Sequence, residues 1–596
     1  MKIKLLLPFL ISIQSFSQMY VGANAPVYVK TQLLYVKADL NLGASSHLYL
    51  RNNAQLIQGT AGASTNTGTG ILSVYQEGTA DNFEYNYWCS PVGVPTAANG
   101  NTNFGISLLN RPTSSTSAVP ATILPIGSYD GTANPLAIAS YWIYKLINAN
   151  NYSQWVQVGG ATTIAPGEGF TMKGTSGTDI TNPEGSGIVN NPGTGAQRYD
   201  FRGKPNDGNI NVTVGSGNAA TLTGNPYPSA LHLNAFLLDP SNTASTGIAY
   251  FWEQDKSINS HYLSAYRGGY GAYSPISVEN TGLYVPPTFN SYKSDGTLNN
   301  VGTTSGSAVP RKFIPIGQGF LINGKANGAV MFKNEQRAFY MEGSGLSQFA
   351  KSSNASKAQQ EAQATQDPSY FRINTIINNE FTRQLALAFV PEATDGVDFG
   401  IDALNTDQSL PNDASFWLEN ANYLIQGVSF DPAKKIPLAV KASSNVNLQF
   451  YIPEVSNLDA SQNIYLYDAL NASYHDIKSA SYEVTIGPGV YTDRFKIAFQ
   501  NTTLGINEQV QQTFVINQDN TNQVLLGSNP SNIDFTSFTL YDILGRSVLN
   551  CKNLGSAQNY SFSTSGLSSG VYIAVFITAD NVKTTKKVII SHSGNK

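Results

Sequence analysis

The sequence predicts an all-β fold: several antiparallel β-sandwich domains in one chain, with a small β-sandwich at the C-terminus. Three observations lead there. Apolar and polar residues alternate with period 2, as in Leu385, Leu387 and Phe389 set between Gln384, Ala386 and Ala388, which is the pattern of half-buried strands. Gly (53), Tyr (32) and Phe (28) are abundant, and Asn, Ser and Thr fill the gaps, as in short strands separated by tight turns. Only 12% of residues are charged, against about 25% in an ordinary soluble domain. At 596 residues a single core does not suffice, and roughly three to five domains are expected.

The N-terminus reads as a secretory signal peptide over residues 1–18. Lys2 and Lys4 form a basic start, Leu5 to Ile13 an apolar run, and Ser15 to Gln18 a small, polar exit, too short and wrongly flanked for a membrane anchor. No later uncharged run reaches the length of a spanning helix, so no transmembrane segment is expected. Residues 19–75 form an N-terminal β segment with a weak echo, Leu34-Tyr35-Val36 and Leu48-Tyr49-Leu50. It reads as a strand layer or as one or two coils of a β-solenoid; two copies are too few to define a repeat array.

A stronger repeat comes next, read as two related β-sandwich-like units at 76–200 and 201–342. The first opens with Tyr87-Trp88-Cys89-Ser90-Pro91 and closes with Ile164-Ala165-Pro166-Gly167-Glu168-Gly169-Phe170. The second opens with Gly224-Asn225-Pro226-Tyr227-Pro228-Ser229 and closes with Ile314-Pro315-Ile316-Gly317-Gln318-Gly319-Phe320. The closing pattern Ile-x-x-Gly-x-Gly-Phe recurs at an offset of 150 residues. Its glycines suit a phosphate-cradling loop or a strand entry with positive φ. No helical pattern comes after it to supply a helix N-terminus, which favours the strand entry. A Tyr/Gly/Ser-rich stretch at about 262–310 reads as a long surface excursion. Its Tyr262, Tyr266, Tyr270 and Tyr273 are the candidates for surface contact, whereas Trp88, Trp142, Trp155 and Trp252 read first as core aromatics.

Residues 343–368 are Ser/Ala/Gln/Lys-rich and read as a flexible linker. Residues 369–500 carry dense period-2 patterning and read as an immunoglobulin-like β-sandwich. A second linker spans 501–511. In 512–596, Phe538 and Leu540 alternate with Thr539 and Tyr541, Asp542 to Gly545 supplies a turn, and Gly570 precedes the apolar run Val571 to Ile577.

That last pattern, Phe538-Thr539-Leu540-Tyr541-Asp542-Ile543-Leu544-Gly545-Arg546, then Leu567-Ser568-Ser569-Gly570-Val571-Tyr572 and Lys586-Lys587-Val588-Ile589-Ile590, resembles the C-terminal sorting domain of proteins exported by the type IX secretion system of Bacteroidota. The Tyr-Trp-Cys-Ser-Pro, Asn-Pro-Tyr-Pro-Ser and Gly-Val-Tyr-x-Asp-Arg-Phe motifs resemble large flavobacterial surface proteins of the same group. The resemblance implies export through the periplasm to the cell surface or medium, with the type IX translocon as partner. Tyr541, Asp542, Gly545, Gly570, Tyr572, Lys586 and Lys587 are the positions that match the sorting pattern. Six basic against four acidic residues make this segment +2, while the rest of the mature chain is −8.

Little in the sequence points to chemistry. The formal charge is −4, and −6 once Lys2 and Lys4 are removed; with no basic stripe, nucleic acid and anionic lipid are set aside as partners. Cys89 and Cys551 stand in different segments, and His47, His232, His261, His475 and His592 are scattered, so neither a disulfide nor a thiolate zinc site is expected. Gly566-Leu567-Ser568-Ser569-Gly570 matches the serine-hydrolase elbow in form but lacks a subsequent helix and a suitable histidine. Asp395, Asp398 and Asp402 offer oxygen ligands for Ca2+, or else cap backbone amides in a turn. No catalytic residue and no other cofactor is expected. The function expected is non-enzymatic adhesion, surface-layer or matrix contact, with a surface glycan or protein as partner. The alternative is a carbohydrate-binding or polysaccharide-degrading protein.

Overall fold

The computed structural model describes residues 18–185, 187–193, 195–293, 295–349, 367–407, 410–501 and 514–592. The expected signal peptide, most of the 343–368 linker and nearly all of 501–511 lie outside these. The chain forms two compact units, divided after Gln500. Among the described residues almost every regular element is a strand, and helix is confined to the one-turn Leu233–Leu237 and short 3-10 turns.

The antiparallel expectation fails at the N-terminus. Strands Met19–Val21, Pro26–Lys30 and Leu33–Val36 pair in parallel with Leu40–Leu42, His47–Arg51 and Gln55–Gln58, and His47–Arg51 pairs in parallel with Ile71–Glu77. These are stacked coils of a β-solenoid. Tyr28 lies opposite Tyr49, Leu34 opposite Leu56 and Leu48 opposite Leu72, so the coil repeats every 21 to 24 residues, and the fourteen-residue echo in the sequence joins unpaired strands. Alternation within one strand carries no information about the direction of its neighbour. Arg51 fastens the coils to the strand Ile71–Glu77: it is buried, donates to the Ser73 carbonyl and to Ser73 Oγ, and lies over the Tyr75 ring.

In the two repeats, Gly169–Lys173 pairs with Tyr85–Cys89, and Gly319–Gly324 pairs with Ala219–Gly224. The second repeat continues into a sheet ordered through Ser245–Gln254, Gly268–Ser274 and Leu283–Val285. That corrects the reading of 262–310 as a surface excursion. Tyr266 and Tyr273 are buried, Tyr270 hydrogen-bonds Tyr87 through its hydroxyl at 2.6 Å, and of the four tyrosines Tyr262 is the exposed one. Glycines at 268, 269 and 271 thin this strand where Trp252, Pro287 and Tyr284 approach, and glycine-rich composition mimics a loop when it in fact serves close packing.

Residues 369–500 form one continuous eleven-stranded ladder rather than two separate sheets. Bulges between Arg372 and Asn374 and between Leu438 and Val440 bend the long strands and let the sheet curl. Its core merges with that of the second repeat: Tyr250, Leu283 and Val285 pack in the same cluster as Phe371, Leu385 and Ile425. Arg372 donates to the Tyr284 carbonyl at 2.8 Å and the Tyr250 hydroxyl to the Leu404 carbonyl at 3.2 Å.

The second unit holds a three-stranded and a four-stranded antiparallel sheet. Both contribute to one core that includes Leu525, Phe538, Phe562 and Phe576.

Candidate functional site

The two Gly-x-Gly-Phe segments meet each other. Gly169 lies opposite Cys89 and Phe170 opposite Trp88; in the same register, Gly319 lies opposite Gly224 and Phe320 opposite Thr223. The strand pairs then bridge reciprocally, Trp88 to Gln318 and Glu168 to Thr223, which is the pattern of a local two-fold axis between the repeats. A Cβ on Gly319 would stand 2.7 Å from the Tyr87 carbonyl carbon, and one on Gly169 would stand 2.8 Å from the Thr223 oxygen. Gly167 and Gly317 have φ of +82° and +79°. These glycines serve a buried backbone contact, and no anion has access to them.

At the far end of the first strand pair sits a buried lysine. Lys173 Nζ lies 3.7 Å from the Trp142 ring centroid, 4.6 Å from Tyr266 and 5.1 Å from Tyr85. It hydrogen-bonds the Tyr266 hydroxyl and, at 3.0 Å, His261 Nδ1; His261 Nε2 in turn meets Asp130 Oδ1 at 2.8 Å. Burial pushes the Lys173 ammonium down to about 7, against the pull of Asp130 and Asp81. Close by, burial raises the Glu84 carboxyl to about 7 although Lys256 stands 3.6 Å away. Tyr85, Trp142 and Lys173 come from the first repeat and His261 and Tyr266 from the second, so the cage closes the two repeats upon each other.

A polar cleft of about 120 Å³ opens where the solenoid meets both repeats, lined among others by Glu77, Glu184, Ile188, Arg198, Ile316 and Tyr340. Glu77 ends one strand and Arg198 begins its antiparallel partner directly opposite. Arg198 Nε donates to Glu77 Oε1 at 2.5 Å, and its Nη1 stands 3.6 Å from Glu184 Oε2. The Glu184 and Arg198 side chains are 9% and 5% exposed. Glu184 Oε1 and Arg198 Nη1 nevertheless have no hydrogen-bond partner. Gln76 and the Phe349 amide bond Glu342 at the rim. Sequence reasoning missed this site, because Glu77, Glu184 and Arg198 are far apart in the chain and form no local motif.

The residues singled out in the sequence have other surroundings. Asp395 pairs with Lys434 at 2.6 Å, Asp398 accepts from the Thr394 amide at 2.7 Å, and Asp402 accepts from the Asp398 and Gly427 amides. Burial raises the Asp402 carboxyl to about 7. Among the described residues no group of three His, Cys, Asp or Glu side chains stands close enough to hold a metal ion, and local donors engage all three of these carboxylates. His592 does approach the Gly566–Gly570 turn, but its Nε2 faces the Leu567 carbonyl, and Ser568 offers its carbonyl to the Tyr572 hydroxyl.

In the sorting pattern, Asp542 accepts from the Leu544 and Arg546 amides and from Arg546 Nε, closing the turn in which Gly545 adopts φ +77°. Tyr541 pairs with Ile573, Gly570 opens the strand that runs to Thr578, and Tyr572 is buried. Lys586 and Lys587 are exposed on the last strand, Lys583–Ile590, an edge of its sheet, where charge discourages pairing with another chain.

A family model described as a domain of unknown function (DUF8693) matches residues 131–499, and one described as a secretion system C-terminal sorting domain matches residues 518–591. No curated protein matches the sequence. Among solved structures, the CupB2 chaperone of Pseudomonas aeruginosa is 10% identical over 38% of this chain and 88% of its own, with a TM-score of 0.11. The BSP domain of a biofilm-associated protein is 8% identical over 88% of this chain and 96% of its own, with a TM-score of 0.12. The extracellular domain of a one-component system from B. thetaiotaomicron is 10% identical over 64% and 61%, with a TM-score of 0.11. Scores this low mark no shared fold. No helix among the described residues is long and apolar enough to cross a membrane.

Proposed function

The chain belongs to the family of the domain of unknown function DUF8693 and is exported by the type IX secretion system to the cell surface or medium, and from that premise we propose that it is a contact protein serving adhesion or the extracellular matrix. The observation that carries this reading is the joining of a sorting domain to a larger unit whose described regular elements are nearly all strands, with two strand pairs bridged reciprocally. Such a body presents a fixed surface with little to rearrange. Its first solenoid coil holds Tyr20, Tyr28 and Tyr35 exposed, and tyrosine joins an apolar face to a polar tip, as contact surfaces favour. The polar cleft supports a second reading, carbohydrate binding, since it sets carboxylates beside an arginine in a concave, accessible place.

The test is a strain lacking the gene, compared with one producing the protein without residues 512–596. Both are expected to lose attachment to the producing organism's matrix, the second with the protein held in the periplasm. Unchanged attachment in both strains, or turnover of a polysaccharide by the purified full-length protein, would overturn the reading.

A further inference from the structure

We propose that the first coil of the solenoid is a self-association surface, which docks end to end on the same coil of a second copy of this chain. The inference rests on the reading of the chain as a contact protein and names the partner of one of its surfaces. It starts from the inward row of the coils. Met19, Val27, Val29 and Leu34 lie opposite Leu40, Leu48, Leu50 and Leu56. The four second-coil leucines are at most 1% exposed, whereas their first-coil partners are only half-buried against the same core. Three strand edges are open at the same end. Met19–Val21, Pro26–Lys30 and Leu33–Val36 each pair with the second coil on one side, and on the other no strand joins them among the described residues. The Met19 amide and Val21 carbonyl bond the second coil, as do the Ala25 carbonyl, the Thr31 amide and the carbonyls of Gln32 and Val36. Successive residues of a strand use opposite edges, so Tyr20, Tyr28 and Tyr35 turn their N–H and C=O toward the open end. A stack of coils that ends on an apolar row and unpaired edges calls for a cap.

The shape of the end selects a second copy. One added strand would cover one edge and leave two edges and the apolar row open, whereas an identical coil brings three edges around a matching row. Tyr20 lies eight residues before Tyr28 and Tyr35 seven after it. The flanking strands have three and four residues and the middle strand five, so the end is nearly symmetric about Tyr28. A two-fold axis there runs the two middle strands antiparallel and sets Tyr20 against the partner's Tyr35. Tyr28 and the partner's Tyr28 then exchange both backbone hydrogen bonds. Pro26 has no N–H to offer this edge; it faces the partner's Lys30, whose amide its carbonyl accepts. Lys37 faces the partner's Gln18. No lysine meets a lysine in this register, while Pro26 and the exposed Lys30 and Lys37 guard the edge against an arbitrary strand.

The test uses the protein recovered from the medium or cell surface, with the N-terminus that export leaves. Sedimentation equilibrium from roughly 1 to 200 µM spans the range in which a small interface dissociates, and a reversible dimer is expected. Tyr28→Glu and Tyr28→Lys alter an outward side chain that is 45% exposed, where folding tolerates substitution. Each alone sets like charges across the axis and should raise the dissociation constant about tenfold or more. Their equal mixture sets opposite charges there and should recover the dimer. Tyr262→Glu, at a tyrosine outside the solenoid that is 81% exposed, should leave the dimer unchanged. A monomer throughout, a dimer that both Tyr28 substitutions leave intact, a mixture no tighter than its components, or equal weakening by Tyr262→Glu would overturn the proposal. A monomer whose gene deletion still abolishes matrix attachment would remove self-association and leave the contact reading standing. A dimer whose gene deletion leaves attachment unchanged would do the reverse.

Discussion

In the first repeat the strand Gly169–Lys173 ends on a lysine opposite Tyr85; in the second, the strand Gly319–Gly324 places Asn323 opposite Ala220 at the same register position. The nearer ends of the two strand pairs are alike, each with a glycine, a buried phenylalanine and a reciprocal bridge. The far ends are not. Lys173 is enclosed by Trp142, Tyr85 and Tyr266 and bonded to His261, whereas Asn323 is a neutral amide in a sheet that joins the core of 369–500. The duplicated part is what the local two-fold contact demands. What diverged is where each strand pair meets a different neighbour: the first meets a loop of its sister repeat, the second the curled eleven-stranded sheet.

The strongest way to break the comparison is at the shared core. Phe170→Ala and Phe320→Ala remove fully buried rings, and each should cost about 3–5 kcal/mol, read as a fall in the denaturant midpoint. If one is tolerated and the other is not, the two strand pairs are not energetic equivalents. Next in size is the backbone contact between them. Gly319→Ala sets a Cβ 2.7 Å from the Tyr87 carbonyl carbon and should cost about 1–3 kcal/mol as overpacking, with Gly169→Ala similar against Thr223. Alanine at Gly62, where a Cβ meets nothing within 4 Å but φ is +83°, isolates the cost of positive φ alone and should be milder.

The caged lysine sharpens the difference through pH. Its folded value of about 7 lies below the ordinary 10.5, so between those values the unfolded chain binds more protons than the native one, and stability rises with pH across that window. Lys173→Met should flatten the rise in thermal midpoint between pH 7 and 10, while Asn323→Met should leave the slope unchanged. Glu84 works in the opposite sense: its carboxyl is raised to about 7, so its contribution to stability falls as pH rises from about 4.5 to 7, and Glu84→Gln should remove that fall. The smallest effect belongs to the second repeat. Burial acts to raise the Asp239 carboxyl, but hydrogen bonds from Ser241, Lys333 and Gln336 hold it at about 2. The stability it contributes is present above its unfolded value and is lost as pH falls from about 4 through 2. Asp239→Asn should take a small part out of the acid limb of the stability curve.

Much was legible from local pattern. The all-strand class came from alternation and turn composition, because side-chain period and turn preference are properties of neighbouring residues. The sorting pattern was legible for the same reason: Asp542, Gly545 and Arg546 close one turn among themselves. The repeat was legible because Ile-x-x-Gly-x-Gly-Phe is contiguous, although the reason for its glycines, a second copy pressed against them, lies about 150 residues away.

Tertiary structure alone decided the rest. The direction of strand pairing in the solenoid, the burial of Tyr266 and Tyr273, and the merging of the 369–500 core with the second repeat depend on which elements meet, and alternation within a strand does not encode its neighbour. The cage and the cleft are of the same kind. Lys173 finds His261 and Tyr266 some ninety residues on, and Arg198 finds Glu77 across a ladder. A desolvated cation or an unsatisfied carboxylate gets its character from the burial around it, and that burial exists only once distant segments have packed.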